Sequence, residues 1–586
     1  MLRKLSILVL VVLLVPVVLV AQTNNKKFTP KAPIVFQEPT TVSTDNLVGP
    51  GFSTASANYT AVDTMANAFG PAISTINPLA YDPRADVVAM VHRGKSTYAL
   101  GSGQLWYSFS TDRGATWNVR QGPVNTDPIL ARYPSMAISN PTSGGLDATT
   151  GFFSWPELNP GAFGNIGYGA EQPIGSNAAF SDTIVGSYSS QVPCWASHNS
   201  AWMFWTSDNQ VDAGIDIWRT QDFATIEKAT IPSAAFVDGS NITLGGASFN
   251  GVDVLAVLGT YADPDPGNPI QFGWYPGIFK STDNGATWSN PEVVDFRTIP
   301  ALSAFDQLFD YDPTAGTIRF DGDVHMDANG HVHLLLGVTD TNAVVDAIVD
   351  IFETGSGWDA TIVDQGGFDI APYALGPGLG QMGYSCYLSF NEARNVMAAQ
   401  WTKIDGGEWC DVYFAYKGLD ADTWSTPQNL TESPSQNNTQ NHFAPFLYDD
   451  GSDNYTAFSM YGYVAGATGP YGDTTTATVY YIAPVPFTGV GVGDGQNVVN
   501  SFKLDQNYPN PFNPSTSITY SIAERSNVSI KVYDVLGKEV ATLINTTQDA
   551  GEHSINFDAS NLASGLYIYT LKSGNFTSSK KMMLLK

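Results

Sequence analysis

Asp321 and Asp323 stand at alternate positions of one run, and Glu157 and Glu408 sit beside tryptophans in loop-like stretches. Two carboxyl groups brought to one face are what glycoside hydrolysis requires, one to protonate the leaving oxygen and one to attack or to activate water. These four are the candidate catalytic groups. A chain with 55 Asp and Glu always offers some such pair, so solvated loop carboxylates are the plainer reading. His325, His331 and His333 suggest a metal, the last two sharing a face at period two. However, Asp327-Ala-Asn-Gly-His-Val-His333 reads as a hairpin turn feeding a strand, which argues against one. Calcium suits Asp263-Pro-Asp265 and Asp449-Asp-Gly-Ser-Asp453 better, since hard oxygen ligands abound there, although neither has the EF-hand spacing. No other cofactor is implied. Trp195, Trp202, Trp205 and Trp218 offer a sugar-stacking platform, but Trp202 and Trp205 fall on opposite faces of one strand and are read as core wedges. The three cysteines, Cys194, Cys386 and Cys410, make no disulfide framework. The last two are predicted on the first and third strands of one sheet, two spacings of roughly 4.8 Å apart and out of bonding reach, so buried thiols are expected.

What must position these groups is a set of repeated β units. The composition, rich in Gly, Ser, Thr and aromatics and poor in charge, suits many short strands and tight turns. The octapeptide Ser110-Thr-Asp-Arg-Gly-Ala-Thr-Trp117 returns at Ser281-Thr-Asp-Asn-Gly-Ala-Thr-Trp288 with one difference, which marks an internal repeat. Asp112 and Asp283 suit caps of turn N–H groups, Gly114 and Gly285 supply a positive φ, and Trp117 and Trp288 are apolar wedges. The pattern S-x-D-x-G-x-T-W resembles the Asp-box of sialidase-like (BNR) β-propellers. The resemblance implies that these turns are structural and lie away from the ligand face. Weaker echoes stand at Ile217-Trp-Arg-Thr-Gln-Asp222, Gly355-Ser-Gly-Trp358 and Asp420-Ala-Asp-Thr-Trp424, with alternating or apolar strands between them. Candidate blades begin near Asn77, Arg132, Pro193, Gly246, Phe320, Gly383 and His442. We therefore expect an all-β chain with a six- or seven-bladed propeller over 61–487, closed by an N-terminal tail at 22–60. The Gly- and Pro-rich stretch 144–173 could be an insertion in place of a blade.

The innermost strand of each propeller blade lines the channel, and ligands meet the loops at one rim. Residues near the predicted first strands are thus the binding candidates: Arg132, Tyr133, Trp195, His198, His325, Tyr384 and His442, beside Asp321 and Asp323. A sialidase would further need an arginine cluster for the substrate carboxylate, a tyrosine activated by a glutamate, and an acid/base aspartate. Residues 32–499 hold nine arginines. The family's Arg-Ile-Pro motif precedes its first Asp-box, whereas the nearest match here, Arg297-Thr-Ile-Pro300, carries an extra residue and follows the second. The resemblance supports the fold and not sialidase activity.

The two ends of the chain read as addresses. Arg3 and Lys4 precede an apolar run over 5–20, and Ala21 offers a cleavage site, so residues 1–21 are expected to be a signal peptide with Gln22 first in the mature chain. No other stretch could cross a bilayer. The Gly-rich run 488–501 is a predicted linker. Beyond it, Gln506-Asn-Tyr-Pro-Asn-Pro-Phe-Asn-Pro-Ser-Thr516, Ile530-Lys-Val-Tyr-Asp-Val-Leu-Gly-Lys-Glu-Val540 and Leu562-Ala-Ser-Gly-Leu-Tyr-Ile-Tyr-Thr-Leu571 resemble the type A C-terminal sorting domain of the type IX secretion system. Residues 502–586 would then form a small Ig-like β-sandwich recognised by the outer-membrane translocon, with release or surface attachment following.

Charge narrows the partners. Residues 32–499 hold 14 Lys and Arg against 48 Asp and Glu, a difference of −34, while residues 500–586 hold 8 against 7. A body this acidic repels phosphate backbones, so nucleic acid is excluded as a partner. The expected protein is a secreted or surface-displayed propeller that binds an extracellular glycan or protein without catalysis. A glycoside hydrolase of extracellular polysaccharide and a structural surface module are the alternatives.

Overall fold

The computed structural model describes residues 26–27, 59–65, 76–94, 103–125, 130–159, 162–186, 192–197, 199–209, 214–236, 241–261, 274–305, 307–308, 311–312, 317–318, 322–340, 346–366, 386–404, 410–431, 439–464, 478–488, 503–504, 506–507, 510–522, 526–535, 537–548, 551–573 and 576–585. The signal peptide, most of the N-terminal tail and the Gly-rich linker of the sequence reading lie outside them. Among the described residues no helix is long and apolar enough to cross a membrane. The chain divides into two compact units, Met1–Pro486 and Phe487–Lys586.

The first unit is a propeller, and among the described residues seven antiparallel sheets of four or five strands build it, beside a two-stranded one of Tyr311–Asp312 and Thr317–Ile318. In chain order their first strands are Leu79–Asp82, Ser135–Ser139, Cys194–Ala196, Asn241–Phe249, Gly322–Met326, Tyr387–Phe390 and Thr439–Phe443. We number the sheets one to seven accordingly. Each first strand turns back into a second strand, longer in every sheet but the fourth, and each sheet continues outward through a third and a fourth. The first strands neighbour one another in cyclic order, the seventh meeting the first. The fourth strand of sheet seven is Thr60–Met65, from the N-terminal side of the chain, and Lys26–Lys27 add a fifth strand to sheet three. The stretch read as a candidate insertion supplies strands Thr150–Asn159 and Ala162–Glu171 of sheet two; Gly167 in it tucks beneath Trp155, where a Cβ would stand 2.0 Å from the indole nitrogen.

Each sheet is packed on both faces, which explains the unbroken apolar runs. The second strand of sheet one, Val87–Arg93, and that of sheet five, Val332–Thr339, are buried at every position. Alternation is lost because neither face meets water. Sheets seven and one share Val62, Tyr81, Val88, Phe458 and Tyr480, and sheets five and six share Leu335, Ile348, Leu388, Phe390 and Trp401.

The octapeptides lie between third and fourth strands of sheets one and four. In both, the serine hydroxyl donates to the aspartate (2.7 and 2.8 Å) and accepts the glycine N–H at 2.8 Å. The aspartate also accepts the backbone N–H and the hydroxyl of the following threonine. Each tryptophan indole donates to the glycine carbonyl. Gly114 and Gly285 have φ of +86° and +76°, and Arg113 and Asn284 before them are left-handed as well. The weaker echoes occupy the same third-to-fourth-strand turns of sheets three, five and six.

The tight turns that join first to second strands converge on the axis, where two arginines tie them together. Arg84 of sheet one donates to Glu392 of sheet six at 2.7 Å, to the Asn140 carbonyl of sheet two at 3.0 Å and to Asn199 of sheet three at 3.2 Å. Arg394 of sheet six donates to the carbonyls of Met326 and Ser248, in sheets five and four, and lies over the rings of Phe249 and Phe446. These bonds join hairpins up to two places apart in the cyclic order, so the turns are drawn in around the axis at this end. The central channel is therefore narrowed at this end, and it forms a well whose mouth is where the first strands begin.

The second unit is a β-sandwich. One sheet pairs Lys503–Leu504, Ser515–Ile522 and Gly551–Asp558; the other runs Glu539–Gln548, Ser526–Asp534, Gly565–Ser573 and Phe576–Leu584. Ile518, Val528, Ile530, Tyr569 and Leu584 are among the residues that fill the space between them. The polar positions of its opening are structural: Asn507 N–H donates to the Tyr569 hydroxyl, its amide to Thr516, and Asn510 accepts from Met583 N–H.

Candidate functional site

The mouth of the well gathers Arg93, Arg132 and Tyr133. Arg93 ends the second strand of sheet one, which runs from the narrowed end to the mouth. Arg132 and Tyr133 precede the first strand of sheet two, held there by the Arg132 N–H on the Pro156 carbonyl at 3.1 Å. Tyr133 has φ of +39°, a backbone state unfavourable for a bulky residue and enriched at working sites. Burial pulls the Arg93 guanidinium down to about 9, and the neighbouring charge of Arg132 pulls the same way. Burial also lowers Arg132, opposed by Tyr133, and it raises the Tyr133 phenol against the pull of both arginines. The Arg132 guanidinium donates to the Ala131 carbonyl at 3.0 Å, and no carboxylate of the described residues pairs with it. Two partly desolvated cations beside a phenol are a candidate anion site, since a guanidinium fork can match a carboxylate or sulfate.

On another side of the ring the mouth carries Asp323, on the first strand of sheet five. Its Oδ2 accepts from Leu388 N–H at 2.9 Å and its Oδ1 from Val324 N–H at 2.8 Å. Burial lifts this carboxyl to about 7 despite both bonds. His325 lies two residues on, buried, with Nε2 3.6 Å from Asp323 Oδ2. Burial, reinforced by the charges of Arg394 and His333, drives its imidazole down to about 3, so it is neutral.

The remaining candidates divide three ways. Asp321, Glu408, His198 and Tyr384 lie outside the described residues, as does the Asp263-Pro-Asp265 loop. Glu157, expected in a loop, lies within the strand Thr150–Asn159 and is 3% exposed, accepting from the Trp155 indole and the Thr183 hydroxyl, each at 3.1 Å. Trp195 and His442 are buried: Trp195 stacks on Phe204 at 5.2 Å between ring centroids, and His442 packs beside Tyr387. Trp205 packs against Phe152 and Tyr168. Arg297 is tied to Asp295 at 2.8 Å and lies over Tyr275.

His331 and His333 face Asp327 at 3.5 and 3.8 Å, and His333 Nδ1 meets Asp350 at 2.8 Å. No group of three metal-ligating side chains occurs among the described residues. In the Asp449 to Asp453 turn the carboxylates cap their own backbone and hold Asn391 and Asn454. Cys194 and Cys386 are buried free thiols, and the side chain of Cys410 is not among those described. Sequence reasoning missed Arg93 because it looked only where first strands begin. The signal was present: the apolar run from Val87 ends on Arg93 and Gly94, and a second strand ends at the rim where a first strand starts.

Residues 506–585 match the family model of the secretion system C-terminal sorting domain. The chain is thus exported through the type IX system to the cell surface or the extracellular space. No curated protein matches the sequence. Solved structures similar to the chain include an ulvan lyase of a new polysaccharide lyase family, at 8% identity and a TM-score of 0.40, covering 75% of this chain and 98% of the other. A subtype N11 neuraminidase-like protein of A/flat-faced bat/Peru/033/2010 (H18N11) is similar at 10% identity and a TM-score of 0.34, covering 62% and 89%. An α-L-arabinofuranosidase from Lactobacillus brevis is similar at 12% and 0.27, covering 48% and 86%.

Proposed function

We propose that this exported propeller binds an anionic extracellular glycan at the mouth of its central well, through Arg132 and Arg93 with Tyr133 beside them. The observation that carries the reading is the Arg132 guanidinium. In a region with 48 acidic residues against 14 basic ones, it stands without a carboxylate partner among the described residues and next to a second cation. Carboxylates are abundant enough to have neutralised it, so a cation left at the mouth fits an external anion. The narrowed floor favours end-on or surface binding over a polymer threaded along the axis.

The test is retention of the mature chain on immobilised acidic and neutral polysaccharides and sialosides, with assay of new reducing ends. Retention on acidic polymers alone, without release, is the expected result, and Arg132→Ala should weaken it at least about tenfold, the loss of one charge-assisted contact of about 1.5–3 kcal/mol. Release of sugar would establish a hydrolase instead. Neither retention nor release would leave the structural-module reading.

A further inference from the structure

Asp323 is set into the wall of the well by three consecutive first strands. Leu388 N–H of sheet six donates to its Oδ2 at 2.9 Å. On the other side stands Gly245 of sheet four, where a Cβ would lie 3.7 Å from Oδ1. The sheet-four strand is bulged between Thr243 and Gly245. One fifth of the Asp323 side chain is exposed.

The groups that face it are few. Its own strand offers His325, neutral and 3.6 Å away, and the paired second strand of sheet five offers Leu335 opposite. Sheet four contributes a glycine and sheet six a backbone N–H. No cation among the described residues pairs with this carboxyl. Carboxylates that fold into a protein interior are ordinarily matched by a cation or by a fuller set of N–H donors. The Nδ1 of His325 is likewise buried and without a hydrogen-bond partner.

An anionic ligand held by Arg132 would bring negative charge into the same mouth. A carboxylate on the wall would then face both a low dielectric and a like charge, and both disfavour ionisation. We infer that the well takes up its anionic ligand together with one proton, which resides on Asp323, the neutral carboxyl then presenting an O–H donor where a carboxylate would repel. This rests on the anionic-glycan reading of the mouth. Burial already lifts the Asp323 carboxyl to about 7, so the exchange falls within the physiological range. Binding then strengthens as pH falls: where free protein is ionised and the complex is protonated, the association constant changes by up to about tenfold per pH unit.

The experiment uses the mature full-length protein and a size-defined oligogalacturonate, whose carboxylates stay ionised above about pH 5.5. Affinity is measured from about pH 5.5 to 8.5, and protons taken up are counted by calorimetry at about pH 7.5 in two buffers of different ionisation enthalpy. Wild type should lose affinity as pH rises through neutrality and take up close to one proton, whereas Asp323→Asn should bind with a flat profile and take up none. Binding of wild type with no proton uptake overturns the inference and leaves the anionic reading intact. A pH slope kept by Asp323→Asn overturns it as well. Failure of wild type to bind oligogalacturonate or an oligosaccharide sulfate at any pH overturns both. Should Asp323→Asn melt before wild type and prove unusable, the wild-type proton count alone decides.

Discussion

At the scale of single residues, the same carboxylate chemistry serves opposite ends. Asp283 accepts from Thr287 N–H at 2.9 Å, from the Thr287 hydroxyl at 2.7 Å and from the Ser281 hydroxyl at 2.8 Å. Burial opposes its ionisation, yet those bonds outweigh burial and hold its pKa below the usual value. Asp283→Ala strips donors of their acceptor without touching the well. It should destabilise the propeller by about 1–3 kcal/mol and leave glycan retention unchanged. A wild-type melting curve would contradict this. Because the folded pKa is depressed, the contribution is present above the unfolded value near about 3.9 and is lost as pH falls through the folded one. The pH dependence of melting should therefore flatten on the acid side in the variant. These residues were legible in the sequence because a turn motif is local: the spacing Ser-x-Asp-x-Gly-x-Thr-Trp contains its own hydrogen-bond partners. Arg93 with Arg132 was not, because 39 positions of chain separate two side chains that only the packing of sheet two beside sheet one brings together.

Between elements, the contact of sheets five and six carries buried charge. Asp350, fully buried, lies between His333 Nδ1 at 2.8 Å and Lys417 Nζ at 3.2 Å. Burial opposes ionisation of Asp350, but the charges of His333 and Lys417 overcome it and its pKa is lowered. His333 is disfavoured as a cation by burial, yet Asp350 and Asp327 raise it overall. Two signs follow. The raised histidine gives stability that is full below about 6.5 and lost as pH rises through its folded value; the depressed aspartate gives stability present above about 3.9 and lost as pH falls through its own. Hydrogen exchange in Val332–Thr339 and Asp346–Thr354 should therefore be slowest, after correction for intrinsic rates, between about pH 4 and 6.5. Lys417→Met should cost about 3–5 kcal/mol by leaving Asp350 short of a partner, and adding Asp350→Asn should recover part of it. A double variant no more stable than the single one would refute this coupling. The strands themselves were legible: predicted blade starts at Asn77, Pro193 and His442 lie within three residues of first-strand starts at Leu79, Cys194 and Thr439. Which polar groups a neighbouring sheet would face was not, since a strand buried on both faces shows no alternation from which to read direction.

For the whole molecule, export and binding are assigned to two units of different charge. The acidic propeller holds its core within Met1–Pro486, and the sandwich has a separate one around Ile530 and Tyr569 in Phe487–Lys586. The sorting-domain match spans residues 506–585, wholly within the second unit. The closing strand Thr60–Met65 comes from the N-terminal side and pairs with Thr478–Thr488, so the last sheet is completed without any strand from residues 502–586. That topology allows the two units to be separated. A chain ending at residue 501 should fold, since every strand of the seven sheets is retained, and should melt within a few degrees of the intact protein. It should nonetheless accumulate in the periplasm, because the address for the outer-membrane step is gone while the N-terminal export signal expected from the sequence is kept. Cell fractionation with a protease-accessibility assay separates the outcomes. Folded, protease-protected propeller in the periplasm supports the division. Truncated protein at the surface in normal amount would refute the role assigned to the second unit, and an unfolded truncation would show that the propeller depends on the sandwich after all.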